Sequence, residues 1–185
     1  MSLRIVIPKR DDVWDEAKNR FISVKETSLV LEHSLVSISK WEAKWKRPFL
    51  HDGPKNTEEI LDYIKCMTLT QNVDPNVYFF LTNENIKQIT AYLEDPMTAT
   101  TVTNHRNPNS RQNKEILTSE LIYYYMAANS LPIEFQKWHI NRLLMLLTIC
   151  GIKNSPDNQK MNKRETASYY AALNKARRAK KHSKG

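Results

Sequence analysis

The stretch EILTSELIYYYMAANSLPIEFQKWHINRLLMLLTICGIK, Glu115–Lys153, is the longest dense apolar region of the chain. It divides at Asn129-Ser130-Leu131-Pro132 into two helical patterns. The first covers about Lys114–Ala128, with Ile116, Leu117, Leu121, Ile122, Tyr124, Tyr125 and Met126 apolar. The second covers about Ile133–Cys150, with Phe135, Trp138, Ile140, Leu143, Leu144, Leu146, Leu147 and Ile149 apolar. Apolar residues three and four apart make one buried face of a helix. Pro132 removes a backbone donor and biases Leu131 away from helical geometry, which suits a junction. Gly151 suits a C-cap. The expectation is a central antiparallel helical hairpin whose second helix, apolar on more than one side, is covered by the rest of the chain, by a partner, or by both. Lys137 and Arg142 interrupt the stretch, so it is not a membrane span.

Working outward, the N-terminal third changes character. Arg4–Ile7 is a β-type run closed by Pro8, and Lys9–Lys18 is polar apart from Val13 and Trp14. Phe21–Val24 and Thr27–Leu31 alternate in part and read as two short strands, or one bent strand, around Lys25-Glu26, able to form a small antiparallel sheet with Arg4–Ile7. Such a sheet needs helices to pack on. From Ser34 to Trp45 the period becomes helical, with Trp41 and Trp45 on one side and Pro48 as the stop. Thr57 is the expected N-cap of a helix reaching about Thr70. Val77–Leu81 reads as a strand or a helical turn. Thr82–Asn85 opens a helix over Ile86–Leu93, which Pro96 closes. Thr98–Asn113 has little to bury and reads as a loop or an exposed ribbon. The reading is therefore a mainly α chain of α+β type: residues 1–153 as one domain, and residues 154–185 as a linker and a basic C-terminal helix or tail.

Charge is placed unevenly. The 185 residues carry a formal net charge of +8. From Lys160 to Gly185 there are nine basic residues against the single acidic Glu165, so the tail holds the whole excess and the body is neutral. The tail residues of interest are Lys163, Arg164, Lys175, Arg177, Arg178, Lys180 and Lys181. Interleaved with alanine and Tyr169/Tyr170, they can neutralise nucleic-acid phosphates, dock on an acidic protein surface, or simply solubilise.

Catalytic and cofactor chemistry finds little to build on. Three glycines (Gly53, Gly151 and Gly185) leave no phosphate loop or dinucleotide fingerprint. The five histidines are scattered, so no metal site is expected, and Cys66 and Cys150 read as reduced core thiols. Glu32-His33-Ser34 is a junction with Ser34 as N-cap rather than a triad, because neighbours on a strand point to opposite faces. His139 reads as a hydrogen-bonded structural histidine or a buried switch. No signal peptide precedes the first strand, so an intracellular protein without cofactor is expected. The candidate partner-binding residues are Trp41, Trp45, Tyr123, Tyr124, Trp138 and Arg142, since Trp, Tyr and Arg at helical spacing serve a core or an interface.

Three segments carry a resemblance: ISVKETSLVLEHSLVSISKWEAKWKRPFL at Ile22–Leu50, EEILDYIKCMTLTQNVDPNVY at Glu58–Tyr78, and SELIYYYMAANSLPIEFQKWHINRLLMLLTICGIKN at Ser119–Asn154. Together with ALNKARRAKK at Ala172–Lys181, they resemble the tail assembly chaperones of tailed bacteriophages over nearly the whole chain. KWEAKW and FQKWHINRLL are the most specific parts. The resemblance implies a non-catalytic protein of the host cytoplasm. It would bind the tape measure protein, and the tail tube protein as a further partner, while the tail forms, with homo-oligomerisation open. The alternative is a nucleic-acid-associated or structural phage protein that uses the basic tail.

Overall fold

The computed structural model describes residues 2–15, 19–51, 53–100 and 116–154. Four strands come first: β1 (Leu3–Ile7), β2 (Arg10–Asp15), β3 (Arg20–Val24) and β4 (Thr27–Leu31). Helices α1 (Leu35–Trp45) and α2 (Thr57–Met67) follow, then a 3-10 turn (Pro75–Phe80) and α3 (Asn83–Glu94). The last elements are α4 (Ser119–Ala128), a second 3-10 turn (Ile133–Lys137) and α5 (Ile140–Asn154). The class is α+β, helical with small antiparallel sheets. The chain divides into two compact units, Met1–Leu147 and Thr148–Gly185. The described part of the second is the end of α5. No helix among the described residues is long and apolar enough to cross a membrane. The basic-tail residues Lys163, Arg164, Lys175, Arg177, Arg178, Lys180 and Lys181 lie outside the described residues, as do Lys114 and most of the Thr98–Asn113 segment.

The strands form one broken ribbon. β1 pairs antiparallel with β4, from Leu3 opposite Leu31 to Ile7 opposite Thr27. β2 pairs with β3, and Arg10 opposite Val24 is the pairing that the β1–β4 register would give if it ran on. A bulge between Arg10 and Val13 then shifts the register by one, to Val13 opposite Ile22 and Trp14 opposite Phe21. Lys9–Lys18 is thus not a plain polar segment: β2 occupies most of it. β3 pairs with β2, whereas Arg4–Ile7 takes only β4 from the expected set. Asn19, with φ 50°, supplies a left-handed residue before β3, a conformation Asn tolerates. On β1 and β4 the side chains alternate, with Ile5, Ile7, Leu29 and Leu31 buried. The far edge of β4 is occupied by the chain leaving α2. There Leu69 N–H donates to the Val30 carbonyl (2.8 Å) and Glu32 N–H donates to the Met67 carbonyl (2.8 Å). On β1, the Asn85 side-chain amide donates to the Val6 carbonyl at 3.1 Å. Both contacts blunt an otherwise open edge.

The hub of the helical part is α1, which packs on α2, on α4 and on the second 3-10 turn. It begins at Ser34, as expected. Ser34 N–H donates to Ser37 Oγ at 3.0 Å, and Lys46 closes the helix at φ 55°. The apolar face Leu35, Ile38 and Trp41 meets Ile64 and Met67 of α2, Ile122 and Met126 of α4, and Ile140 and Leu143 of α5 in one core.

Several helix boundaries differ from the sequence expectation, each for a local reason. The cap of α2 is Asn56, not Thr57. Glu59 N–H donates to Asn56 Oδ1 (2.8 Å) while Asn56 N–H donates to Glu59 Oε2 (2.8 Å), a reciprocal box that Thr57 cannot close from one position later. Asn56→Ala is expected to cost about 1 kcal/mol of stability, read as a lower urea midpoint at unchanged slope. Of the two readings of Val77–Leu81 the helical turn holds, as part of the 3-10 turn Pro75–Phe80. Helix α4 starts at Ser119 with Thr118 as cap, and Ile116 and Leu117 precede it. It ends in a Schellman turn, with Leu131 N–H to the Met126 carbonyl (2.9 Å), Ser130 N–H to the Ala127 carbonyl (3.0 Å), and Ser130 at φ 52°. The expected helix Ile133–Cys150 is two pieces. Trp138 is extended, and Ile140 N–H donates to the His33 carbonyl at 2.9 Å, so tertiary backbone pairing interrupts the helical period there. α5 then runs through Gly151, which is helical rather than a cap.

Candidate partner-binding surface

A continuous chain of rings crosses the interior. Trp45 stacks on Trp41 at 6.1 Å, and Trp41 meets Phe49 edge-on at 5.1 Å. Phe49 stacks on Tyr63 at 3.9 Å, and Tyr63 meets His33 at 5.7 Å. His33 meets His139 at 4.9 Å, and His139 meets Tyr92 at 4.9 Å. The polar atoms of these rings are tied down. Trp41 Nε1–H donates to the Glu59 carbonyl (3.0 Å), and Trp45 Nε1–H donates to Asp62 Oδ2 (3.0 Å). Asp62 also receives the Lys44 ammonium, whose Nζ lies 5.5 Å from the Trp45 ring centre. Among the described residues no buried side-chain nitrogen or oxygen lacks a partner.

This disposition corrects part of the candidate set. Trp41 is fully buried between α1 and α2, and it serves the core rather than a partner. Trp45 is half-buried, with its indole N–H committed to Asp62. Helical spacing showed that the two tryptophans share a face. It did not show that the face meets α2, whose Glu59 and Asp62 hold both indoles.

The other candidates stay near the surface. Tyr123 is half-buried; its hydroxyl donates to Gln136 Oε1 at 3.0 Å and so ties α4 to the second 3-10 turn. Burial holds the Tyr123 phenol above its ordinary pKa. Tyr124, next on α4, is 64% exposed and meets Tyr125 edge-on at 5.6 Å. Beyond the Tyr123–Gln136 tie, Phe135 stacks on Trp138 at 4.0 Å, and the Arg142 guanidinium lies over the Trp138 ring at 4.3 Å. Ile133 is 56% exposed beside them in sequence. α4, the second 3-10 turn and the start of α5 thus each expose aromatic or aliphatic side chains, and Arg142 adds a cation over the Trp138 ring. That is the composition of a protein interface. Among the described residues no group of three His, Cys, Asp or Glu side chains is placed to hold a metal.

A second exposed aromatic pair escaped the sequence reading. Trp14 and Phe21 meet edge-on at 4.9 Å across β2 and β3, with much of both rings in solvent. Their signal is cross-strand pairing, which is invisible until the bulge register is known. Phe79 is also exposed, with the Lys65 ammonium 5.8 Å from its ring centre. Set against protein-family models, curated proteins and solved structures, the chain matches none of them.

Proposed function

We propose that the chain acts by binding rather than by catalysis, as a tail assembly chaperone of a tailed bacteriophage in the host cytoplasm. It would hold the tape measure protein, with the tail tube protein as a further partner. The observation that carries this reading is the exposure of Tyr124 on α4 and Ile133 on the second 3-10 turn, with the Trp138–Arg142 stack following that turn. A holdase must cover the apolar face of a client helix, and helix-in-groove recognition uses aromatic and aliphatic anchors with charged rims. In this reading α4 and the second 3-10 turn offer the client-binding surface, and a second copy of the chain can extend it. The basic tail from Lys163 to Lys181 contacts acidic stretches of the client. The resemblance of Ile22–Leu50 and Ser119–Asn154 to that family supports the same assignment.

The test is co-expression with the tape measure protein, followed by size exclusion with light scattering. A client that is soluble only in one complex with this chain supports the reading; an insoluble client beside a chain eluting alone overturns it. Tyr124→Ala combined with Ile133→Ser is expected to weaken client binding by about 30-fold, in line with a loss of about 2 kcal/mol at interface anchors. Folding stability should move by less than about 0.5 kcal/mol, since both side chains are exposed. The tail's concentrated charge favours nucleic acid as a second reading. Co-purifying nucleic acid that is lost in high salt is its signature.

A further inference from the structure

The aromatic chain contains two buried histidines where the fold closes on itself. His33 lies two residues past β4, and His139 lies between the second 3-10 turn and α5. Their backbones pair as an isolated antiparallel bridge at Ser34 and His139, and the His33 carbonyl accepts the Ile140 N–H. The hydrogen bonds of His139 define its protonation. Nε2 lies 2.9 Å from the Tyr92 carbonyl, which only accepts, so Nε2 carries the proton. Nδ1 lies 3.3 Å from the Asn141 N–H, so it must keep its lone pair. His139 therefore caps the first turn of α5 with its ring, and it does so only while neutral. Across the interface, His33 Nδ1 and the Tyr63 hydroxyl are 2.5 Å apart.

We infer that the His33–His139 pair is a proton-sensitive latch that holds the second 3-10 turn and the first turns of α5 against the β4–α1 junction. A proton on His139 removes the acceptor for Asn141 N–H and places a cation at the positive end of α5. The first turn of α5 holds no acidic residue to offset it. The ring of one histidine faces the other, so a charge on either repels a charge on its neighbour. Other titratable groups close to the pair are Tyr63 from α2, and Tyr92 and Asp95 at the end of α3. Burial holds the Tyr63 phenol neutral. Asp95 and the Tyr92 carbonyl favour a charged His139, but burial outweighs them and lowers its pKa. Burial first, and His139 second, depress the His33 pKa from 6.5 to about 3. The unlatched chain accepts protons that the closed pair refuses. The latch is therefore intact above about pH 6.5 and weakens as the pH falls from there toward about 3.

Amide hydrogen exchange on the full chain tests this, with rates corrected for the intrinsic pH dependence. Between pH 6 and 5 the opening constant at Ile140 and Asn141 is expected to rise by about 8-fold in His139→Asn, which keeps a capping oxygen but leaves only His33 to titrate, and more steeply in the wild type, where both histidines take up protons on opening. Amides of Ile5 and Leu29 should change much less. Equal increases at those core strands would mean global acid unfolding and would overturn the latch. A flat profile at Ile140 would overturn it too. Nitrogen-detected NMR of the wild type gives an independent reading should the variant not fold. The inference expects the imidazoles to become charged only as the Ile140 amide loses its protection; a charged ring beside a protected Ile140 amide contradicts it.

Discussion

Glu42→Ala is expected to destabilise the fold by about 3–5 kcal/mol, because two backbone donors lose one charged acceptor. Glu42 sits on the buried side of α1. One carboxylate oxygen accepts the Phe49 N–H at 2.7 Å and the other accepts the Ser119 N–H at 2.8 Å. One side chain thereby closes the loop after α1 and docks the first turn of α4. Each bond is charge-assisted and contributes about 1.5–3 kcal/mol, and the buried Ser119 donor is poorly placed to recover water if the carboxylate is cut away. Glu42→Gln keeps one acceptor oxygen and turns an amide NH2, itself a donor, toward the other N–H, so its cost should be about half. Urea denaturation of the three proteins checks the order. A loss under about 1 kcal/mol for Glu42→Ala would mean that solvent reaches both amides.

Trp41→Ala should cost about 3–5 kcal/mol through the cavity it leaves. The ring has no exposed area and touches Trp45 and Phe49, so its removal also unstacks the first links of the aromatic chain. Trp41→Phe keeps much of the apolar contact but withdraws the indole donor from the Glu59 carbonyl, for about 1 kcal/mol. The pair separates packing from hydrogen bonding. It also separates core from interface: client capture by Trp41 variants should fall only with their folded fraction, unlike that of the Tyr124 and Ile133 variant. Thermal unfolding and capture measured on the same samples decide between the two.

What was legible in the sequence was local. The helical periods of α1, α2, α3 and α4 come from apolar residues three and four apart, and Ser34 and Thr82 announce their caps. The α+β class follows from the short alternating runs before Ser34. Three kinds of information were not local. Pairing partners depend on contacts between distant residues, so β2 was hidden in a charged segment whose only large apolar residues are Val13 and Trp14. The break at Trp138-His139 arises because the chain there pairs with the β4–α1 junction, roughly a hundred residues earlier in the sequence. The burial of Trp41 depends on where α2 docks, and no periodicity in α1 specifies that. Tyr124, Trp138 and Arg142 remained near the surface as candidates because Tyr, Trp and Arg tolerate partial exposure with their polar ends in water.

The continuing register of the ribbon has a mechanical consequence. Leu3 lies opposite Leu31 at the open end, so a pull on the N-terminus away from α1 loads the β1–β4 pairs one at a time. Bonds loaded in sequence yield at low force, whereas bonds loaded together in shear resist. The first real obstacle is Val6, whose carbonyl is clipped by Asn85 at the start of α3. A pulling trace should therefore show soft peeling of the first strand, then a single higher peak that Asn85→Ala removes.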